Sequence, residues 1–230
     1  MTDIKTNVHR VMETIERTAR QSGRDPGGVK LLAATKTRSV AEIRVAIEAG
    51  VRLFGENYVQ EGQTKSKRLD ASVEWHMIGH LQRNKVKGAL DVFSVVESLD
   101  SLELARVLDR EAAQRGGVAR AFVEVNLGGE TTKSGVSRDQ VAPLIEAVGG
   151  LPHLSVEGLM TVPPFFSDAE GARPYFRALK ELQLSLGNLG IPNVRLNELS
   201  MGMTNDYAVA IKEGATIVRI GTAIFGERGT

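Results

Sequence analysis

The stretch Val29-Lys-Leu-Leu-Ala-Ala-Thr-Lys36-Thr-Arg-Ser39 begins as an apolar run and ends as a polar turn. The apolar half predicts a buried strand. Ser39, followed three residues later by Glu42, predicts a capping box at the start of a helix. A strand that passes into a helix in this way is the first half of a βαβ unit, which builds parallel sheets. Lys36 lies at the junction, where a parallel barrel places its functional side chains.

Short apolar or β-branched runs alternate with amphipathic helical stretches along the whole chain. A helix comes first, because apolar residues recur at helical spacing from Ile4 to Ala19 and Ser22-Gly23 ends the pattern. About eight strands follow, which favours a closed barrel over an open sheet. We therefore predict an α/β protein: a single-domain (β/α)8 TIM barrel over residues 1–230 with an extra N-terminal helix. The predicted strands are residues 29–34, 51–55, 75–79, 92–96, 121–127, 155–160, 194–199 and 216–220.

Composition excludes several classes of function. The 29 basic and 28 acidic residues give a net charge of +1, and neither sign forms a long block, so we expect no nucleic-acid partner. The chain has no cysteine, which excludes disulfides, thiol nucleophiles and thiolate metal sites, and its four histidines lack the HExxH spacing. No apolar run approaches the length of a membrane span. We expect a cytoplasmic protein without a metal or a membrane partner.

Lys36 is the candidate for covalent chemistry. Most lysines that follow a strand are simply solvated. A lysine held at the dry mouth of a barrel can instead lose its proton and attack an aldehyde to form a Schiff base. Which of the two applies depends on the surrounding residues.

Two stretches that follow the last two predicted strands favour an anion site. Ser200-Met-Gly-Met-Thr-Asn-Asp206 and Gly221-Thr222 offer backbone amides and hydroxyl groups. For the first stretch the alternative is an ordinary loop in which Thr204 caps a helix. Because phosphate sites in such barrels are commonly built from the loops after strands seven and eight, we favour a phosphate pocket.

Arg219 lies in the middle of an otherwise apolar strand, where a guanidinium needs an acceptor. One interpretation is a salt bridge to a barrel carboxylate such as Glu124 or Glu56. The other is a hydrogen bond to a ring nitrogen of a ligand, for which a pyridine would serve. The sequence leaves both open.

Four further residues at predicted strand ends are weaker candidates. Asn57 either lies over a bound ring or caps the next helix. His80 is either an acid or base or a satisfied polar group. Lys133 lies on a glycine-rich loop that is either a lid with a second amine or a solvated loop. Met160 would ordinarily be core filler.

Six motifs together resemble the family of pyridoxal phosphate homeostasis proteins, and they span nearly the whole chain in order. They are Ala33-Ala-Thr-Lys36-Thr, Phe54-Gly-Glu-Asn-Tyr58, Trp75-His-Met-Ile-Gly-His-Leu-Gln82, Glu157-Gly-Leu-Met160, Leu199-Ser-Met-Gly-Met203 and Val218-Arg-Ile-Gly-Thr-Ala-Ile-Phe-Gly226. The resemblance implies a fold-type III barrel, like the N-terminal barrel of alanine racemase. It also implies that pyridoxal 5'-phosphate (PLP) is held as an internal aldimine on Lys36.

The resemblance assigns the remaining cofactor contacts by position. The phosphate contacts are Ser200, Gly202, Gly221 and Thr222, the pyridine nitrogen contact is Arg219, and the ring contacts are Asn57 and Met160. It implies no catalytic residue and leaves the roles of His80 and Lys133 open.

The resemblance implies a monomeric carrier that buffers PLP or delivers it to apo-enzymes and so affects amino-acid metabolism indirectly. A guanidinium beside the pyridine nitrogen agrees with this, because it disfavours a proton there and makes the ring a weaker electron sink. The 230 residues also leave little room for a second domain that would supply an opposing base. The alternatives are a minimal racemase-like enzyme that uses His80 or Lys133, and a Schiff-base aldolase without a cofactor.

Overall fold

A computed structural model of the protein describes residues 3–69, 72–130, 134–187 and 189–227. The strands are β1 Lys30–Ala34, β2 Leu53–Glu56, β3 Glu74–Met77, β4 Val95–Leu99, β5 Ala119–Asn126, β6 Val136–Ser137, β7 Leu154–Met160, β8 Val194–Ser200 and β9 Ile217–Ile220. The α-helices are α1 Ile4–Gln21, α2 Val40–Glu48, α3 Val59–Ser66, α4 Val86–Ala89, α5 Leu102–Gln114, α6 Arg138–Val148, α7 Arg173–Leu186, α8 Tyr207–Lys212 and α9 Thr222–Phe225. Short 3-10 turns lie at Pro26–Gly28, Arg83–Lys85 and Ala169–Ala172.

Eight parallel strands form a closed ring. Their order is β4-β3-β2-β1-β9-β8-β7-β5, and β4 also pairs with β5, which joins the two ends. The two-residue β6 pairs only with β5 and lies outside the ring. The predicted (β/α)8 barrel with an N-terminal helix is therefore confirmed, and each predicted strand overlaps one strand of the ring.

The strand predicted at residues 92–96 begins three residues too early. The backbone N–H groups of Val92 and Phe93 donate to the carbonyl of Ala89 and form a turn, and β4 starts only at Val95. Phe93 packs against Gly62 of α3. Phe93 is therefore apolar because it packs in the layer between the strands and the helices.

Alternating strand residues divide between two apolar clusters. On β1, Leu32 belongs to the cluster that fills the barrel, whereas Ala33 belongs to the larger cluster between the strands and the helices. The cluster inside the barrel contains Leu32, Leu53, Val95, Phe122, Met160 and Ile217. Ion pairs also connect different strands, including Lys30 of β1 with Glu198 of β8 and Arg120 of β5 with Glu157 of β7.

Helix α1 covers the outside of the barrel where α9 is too short to do so. Its buried face includes Val8, Val11 and Ile15, and it packs against α2, α8 and α9. The side-chain amide of Asn7 donates to the carbonyl of Ile224 at 3.0 Å. None of the described helices combines the length and the apolar character needed to cross a membrane.

Gly158 on β7 provides a test of the strand packing. A Cβ added there would lie 2.5 Å from the backbone oxygen of Glu198 on β8, and a paired strand cannot easily move away. We expect Gly158→Ala to lower the free energy of unfolding by about 1–3 kcal/mol, measured by urea denaturation. Gly117→Ala is the matched control, because a Cβ there meets no atom within 4 Å. Equal stability of the two variants would contradict the packing.

Candidate functional site

The predicted site residues all lie at the carboxyl ends of five neighbouring strands. These strands are adjacent in the ring in the order β2-β1-β9-β8-β7. The residues that these strand ends bring to one arc of the rim are Lys36, Asn57, Met160, Ser200, Gly202, Arg219, Gly221 and Thr222. Lys133 lies outside the described residues.

Lys36 lies in a turn two residues after β1. The N–H of Arg38 donates to the carbonyl of Thr35 at 2.9 Å and closes this turn. Lys36 is half-buried, and no hydrogen bond or ion pair joins its ammonium to another described residue. Gly221 lies beside the same strand, since a Cβ on it would be 3.3 Å from the carbonyl oxygen of Ala34. The lysine thus lies next to the turn that follows β9.

Three backbone amides at the ends of β8 and β9 are available to a ligand. The N–H groups of Gly202, Gly221 and Thr222 donate to no acceptor within the described parts of the chain. Gly202 must be glycine, because its φ is +93° and a Cβ would lie 2.5 Å from that of Ala210. Backbone amides without partners, at the ends of strands and the start of a helix, are suited to an anion such as a phosphate.

The loop after β8 is held by its own contacts. The N–H of Met203 donates to Asp206 Oδ1 at 2.7 Å, and the N–H of Ala223 donates to Thr204 Oγ1 at 3.2 Å. Asp206, and not Thr204, is the N-cap of α8. The alternative in which Thr204 caps this helix is therefore wrong. Thr204 instead ties the turn after β9 to the loop after β8.

The side chain of Ser200 is directed into the barrel and is fully buried. Its hydroxyl donates to Glu97 Oε2 at 2.5 Å and accepts from Arg219 Nη1 at 2.7 Å. The single hydroxyl proton is therefore already engaged. A contact between Ser200 and a phosphate stays a prediction, while the free amides nearby belong to Gly202, Gly221 and Thr222.

Arg219 is 5% exposed and forms no salt bridge among the described residues. Its second amino group donates to the carbonyl of Thr161 at 2.9 Å. Glu56, one of the two predicted partners, is bonded to Lys65 instead. Glu124, the other, influences Arg219 only through its charge. Both proposed salt bridges are therefore wrong, and burial lowers the pKa of Arg219 while nearby carboxylates oppose that shift.

The sequence analysis missed two buried residues behind Arg219. His76 Nδ1 lies 2.6 Å from Glu97 Oε1, and the other oxygen of Glu97 accepts the Ser200 hydroxyl. Burial by itself would lower the pKa of His76, but the carboxylates of Glu74 and Glu97 outweigh it and raise this pKa. Glu97 is a charged residue in an apolar strand, and the argument applied to Arg219 could have found it.

Asn57 and Met160 both lie within the described residues, and their contacts with a bound ring stay predictions. Asn57 is half-buried, and α3 has Tyr58 as its N-cap, so the interpretation of Asn57 as that cap is wrong. Gly79 packs against it, since a Cβ on Gly79 would be 2.5 Å from the Asn57 carbonyl oxygen. Met160 is buried within the cluster that fills the barrel.

The opposite side of the barrel mouth is acidic. His80 is exposed, and its Nδ1 lies 3.0 Å from Asp100 Oδ2. Glu124 is 9% exposed. Burial raises the pKa of Glu124 to about 7, an effect that the charge of Arg219 opposes. Carboxylates therefore face the arc of amides and cations across the mouth.

Because the pKa of Glu124 is raised, we expect the free energy of unfolding of the ligand-free protein to depend on pH. The unfolded chain loses this proton near 4.5 and the folded protein only near 7, so the folded state loses stability as the pH rises through that window. Glu124→Gln removes this loss. We expect its free energy of unfolding, relative to wild type, to rise by up to about 3 kcal/mol between pH ~4.5 and pH ~8.

Chemical denaturation at a series of pH values measures this difference. The exposed Glu103→Gln variant is the matched control for the change of charge. A difference between Glu124→Gln and wild type that is constant over the window would contradict the raised pKa.

Comparisons with known proteins show the family and the fold of the chain. The model of the alanine racemase N-terminal domain family matches residues 7–229. The pyridoxal phosphate homeostasis protein of Aquifex aeolicus is 45% identical over 95% of this chain and 96% of its own. PipY of Synechococcus elongatus, solved with PLP bound, is 34% identical with a TM-score of 0.81, covering 93% of this chain and all of its own. Alanine racemase of Clostridium difficile shares the fold at 15% identity, with a TM-score of 0.72 over 98% of this chain and 58% of the enzyme.

Proposed function

The chain belongs to the alanine racemase N-terminal domain family and, within it, to the pyridoxal phosphate homeostasis proteins, and we propose that it binds, stores and delivers PLP. The observation that carries this proposal is that Lys36, which has no partner among the described residues, follows the strand next to β9, after which two of the three unpartnered amides lie. Gly221 and Thr222 follow β9, which pairs with the strand that leads to Lys36.

The residues fit the chemical groups of PLP. When bound, PLP supplies an aldehyde that condenses with an uncharged lysine amine. Lys36 is the amine in this proposal, and the amides of Gly202, Gly221 and Thr222 hold the phosphate. Asn57 and Met160 line the ring. Ser200, at the end of β8, accepts a hydrogen bond from Arg219 and so fixes the start of the loop that carries the Gly202 amide.

The charges at the mouth favour storage over catalysis. The guanidinium of Arg219 can only donate, so a pyridine nitrogen beside it must accept and stay unprotonated, which makes the ring a poor electron sink. On the other side, Asp100 and the partly ionised Glu124 repel the carboxylate of an incoming amino acid. We propose a non-catalytic, monomeric, cytoplasmic carrier formed by residues 1–230, whose recipients are apo-enzymes that need PLP.

Lys36→Ala tests the covalent contact. Wild-type protein mixed with PLP should show a visible absorption band and, after borohydride reduction and peptide mapping, a label on Lys36. The variant should lose both and retain weaker binding through the phosphate, because the amides are backbone groups that the substitution leaves in place. Lys5→Ala, at an exposed position of α1, is the control. A label on another lysine, or the colourless protein expected of an aldolase without cofactor, would contradict the proposal.

Hydrogen exchange tests the absence of catalysis. A racemase-like activity needs a second base, and the His80 and Asp100 pair is the candidate among the described residues. Incubation of the PLP-loaded protein with L-alanine or L-serine in deuterated water should give no more α-hydrogen exchange than free PLP. Faster exchange that His80→Gln abolishes would overturn the carrier function in favour of an enzyme.

A further inference from the structure

Thr37, the residue after Lys36, has a strained backbone. Its φ is +65°, and no other described residue except glycine has a positive φ. A β-branched residue rarely adopts this conformation, which costs free energy that the surrounding structure must supply. Thr37 holds the third position of the turn from Thr35 to Arg38, a place that glycine usually takes when the backbone is left-handed.

Two side chains of α3 hold this turn from both sides. Glu61 Oε2 accepts the backbone N–H of Thr37 at 3.1 Å. Lys65 Nζ donates to the backbone carbonyl of Thr35 at 2.8 Å. Lys65 also donates to Glu61 at 2.7 Å, one helical turn away. Lys36 thus lies between two backbone groups that the same helix fixes.

Glu56 completes the cluster in the interior of the protein. Its Oε1 accepts from Lys65 Nζ at 2.7 Å and from Thr35 Oγ1 at 2.5 Å, and Lys65 is only 7% exposed. The other oxygen, Glu56 Oε2, is buried and has no partner. A buried ion pair that leaves an acceptor unsatisfied contributes little to stability by itself. Its contacts to Thr35 suggest a role in geometry instead.

We infer that Lys65, acting through Glu56 and Glu61, is a positioning residue that keeps the turn of Lys36 in the conformation needed for its bond to PLP. This inference rests on the proposed function. Lys65 touches no group of the cofactor in this role. It bonds the Thr35 carbonyl directly, and it bonds Glu61, which accepts the Thr37 N–H.

Two ligands separate the positioning of Lys36 from the binding of phosphate. PLP uses both the lysine and the amides, whereas pyridoxine 5'-phosphate has an alcohol in place of the aldehyde and uses the amides alone. We expect Lys65→Met to weaken PLP binding by about tenfold or more, because a small misplacement of a reacting group has effects of this size. Binding of pyridoxine 5'-phosphate should stay within about twofold of wild type, as equilibrium dialysis measures.

Rescue by glycine distinguishes positioning from a merely structural role. Because glycine adopts a positive φ without a steric cost, Thr37→Gly combined with Lys65→Met should restore most of the PLP affinity and the rate of borohydride-trapped labelling at Lys36. Lys67→Met, at an exposed position just after α3, is the matched control and should resemble wild type. Circular dichroism melting curves check that each variant is folded.

The possible outcomes are distinct. Equal loss of both ligands in Lys65→Met, or no loss of either, overturns the inference while leaving the proposed function intact. Failure of wild-type protein to become labelled at Lys36 overturns both. If Lys65→Met does not fold, Glu61→Gln removes only the charge that holds the Thr37 N–H, and it should give a smaller loss confined to PLP. A Glu61→Gln variant that binds both ligands like wild type then counts against the inference.

Discussion

Pairing of β1 with β9 joins the first and last strands of the closed sheet, and the arrangement of the site depends on that pairing. A closed ring of parallel strands brings every carboxyl end to one rim and directs alternate side chains into one interior. Lys36, Arg219 and the turns after β8 and β9 become neighbours only because β1 and β9 pair, although these strands stand near opposite ends of the chain. An open sheet with the same strands would leave an exposed edge and a solvated interior.

Among the described residues, the buried side chains of Arg219 and Lys65 find their partners by different means. Inside the barrel, Arg219 bonds to a hydroxyl and a carbonyl, and the nearest carboxylate, Glu97, is separated from it by Ser200. Outside the barrel, Lys65 bonds directly to Glu56 and Glu61. The carboxylates of Glu97, Glu124 and Asp206 act on Arg219 only through their charges, without a direct bond. The carboxylates of Glu56 and Glu61 neutralise the charge of Lys65. Its ammonium also donates a hydrogen bond to the backbone carbonyl of Thr35, in the turn at Lys36.

Much of the fold follows from the sequence because it depends on local pattern. Apolar runs of strand length, amphipathic helices and the capping box at Ser39 are readable along the chain, and the structure has the capping box as predicted. Arg219 is conspicuous because a charge in an apolar strand demands an explanation. The partners of such a charge are harder to predict, because residues such as Glu97 and Ser200, which bond to each other, lie 103 positions apart in the sequence. The positive φ of Thr37 could not be predicted from the sequence, because threonine rarely adopts this backbone conformation.

Helix α1 and α9 join the first and last elements of the chain in one contact layer. The bond from Asn7 to Ile224 spans 217 positions, and α1 packs against α8 and α9 as well as against α2. During synthesis the contacts of α1 with α8 and α9 can form only after those two helices have been made. We expect these long-range contacts of α1 to form slowly, because closing so long a loop costs chain entropy.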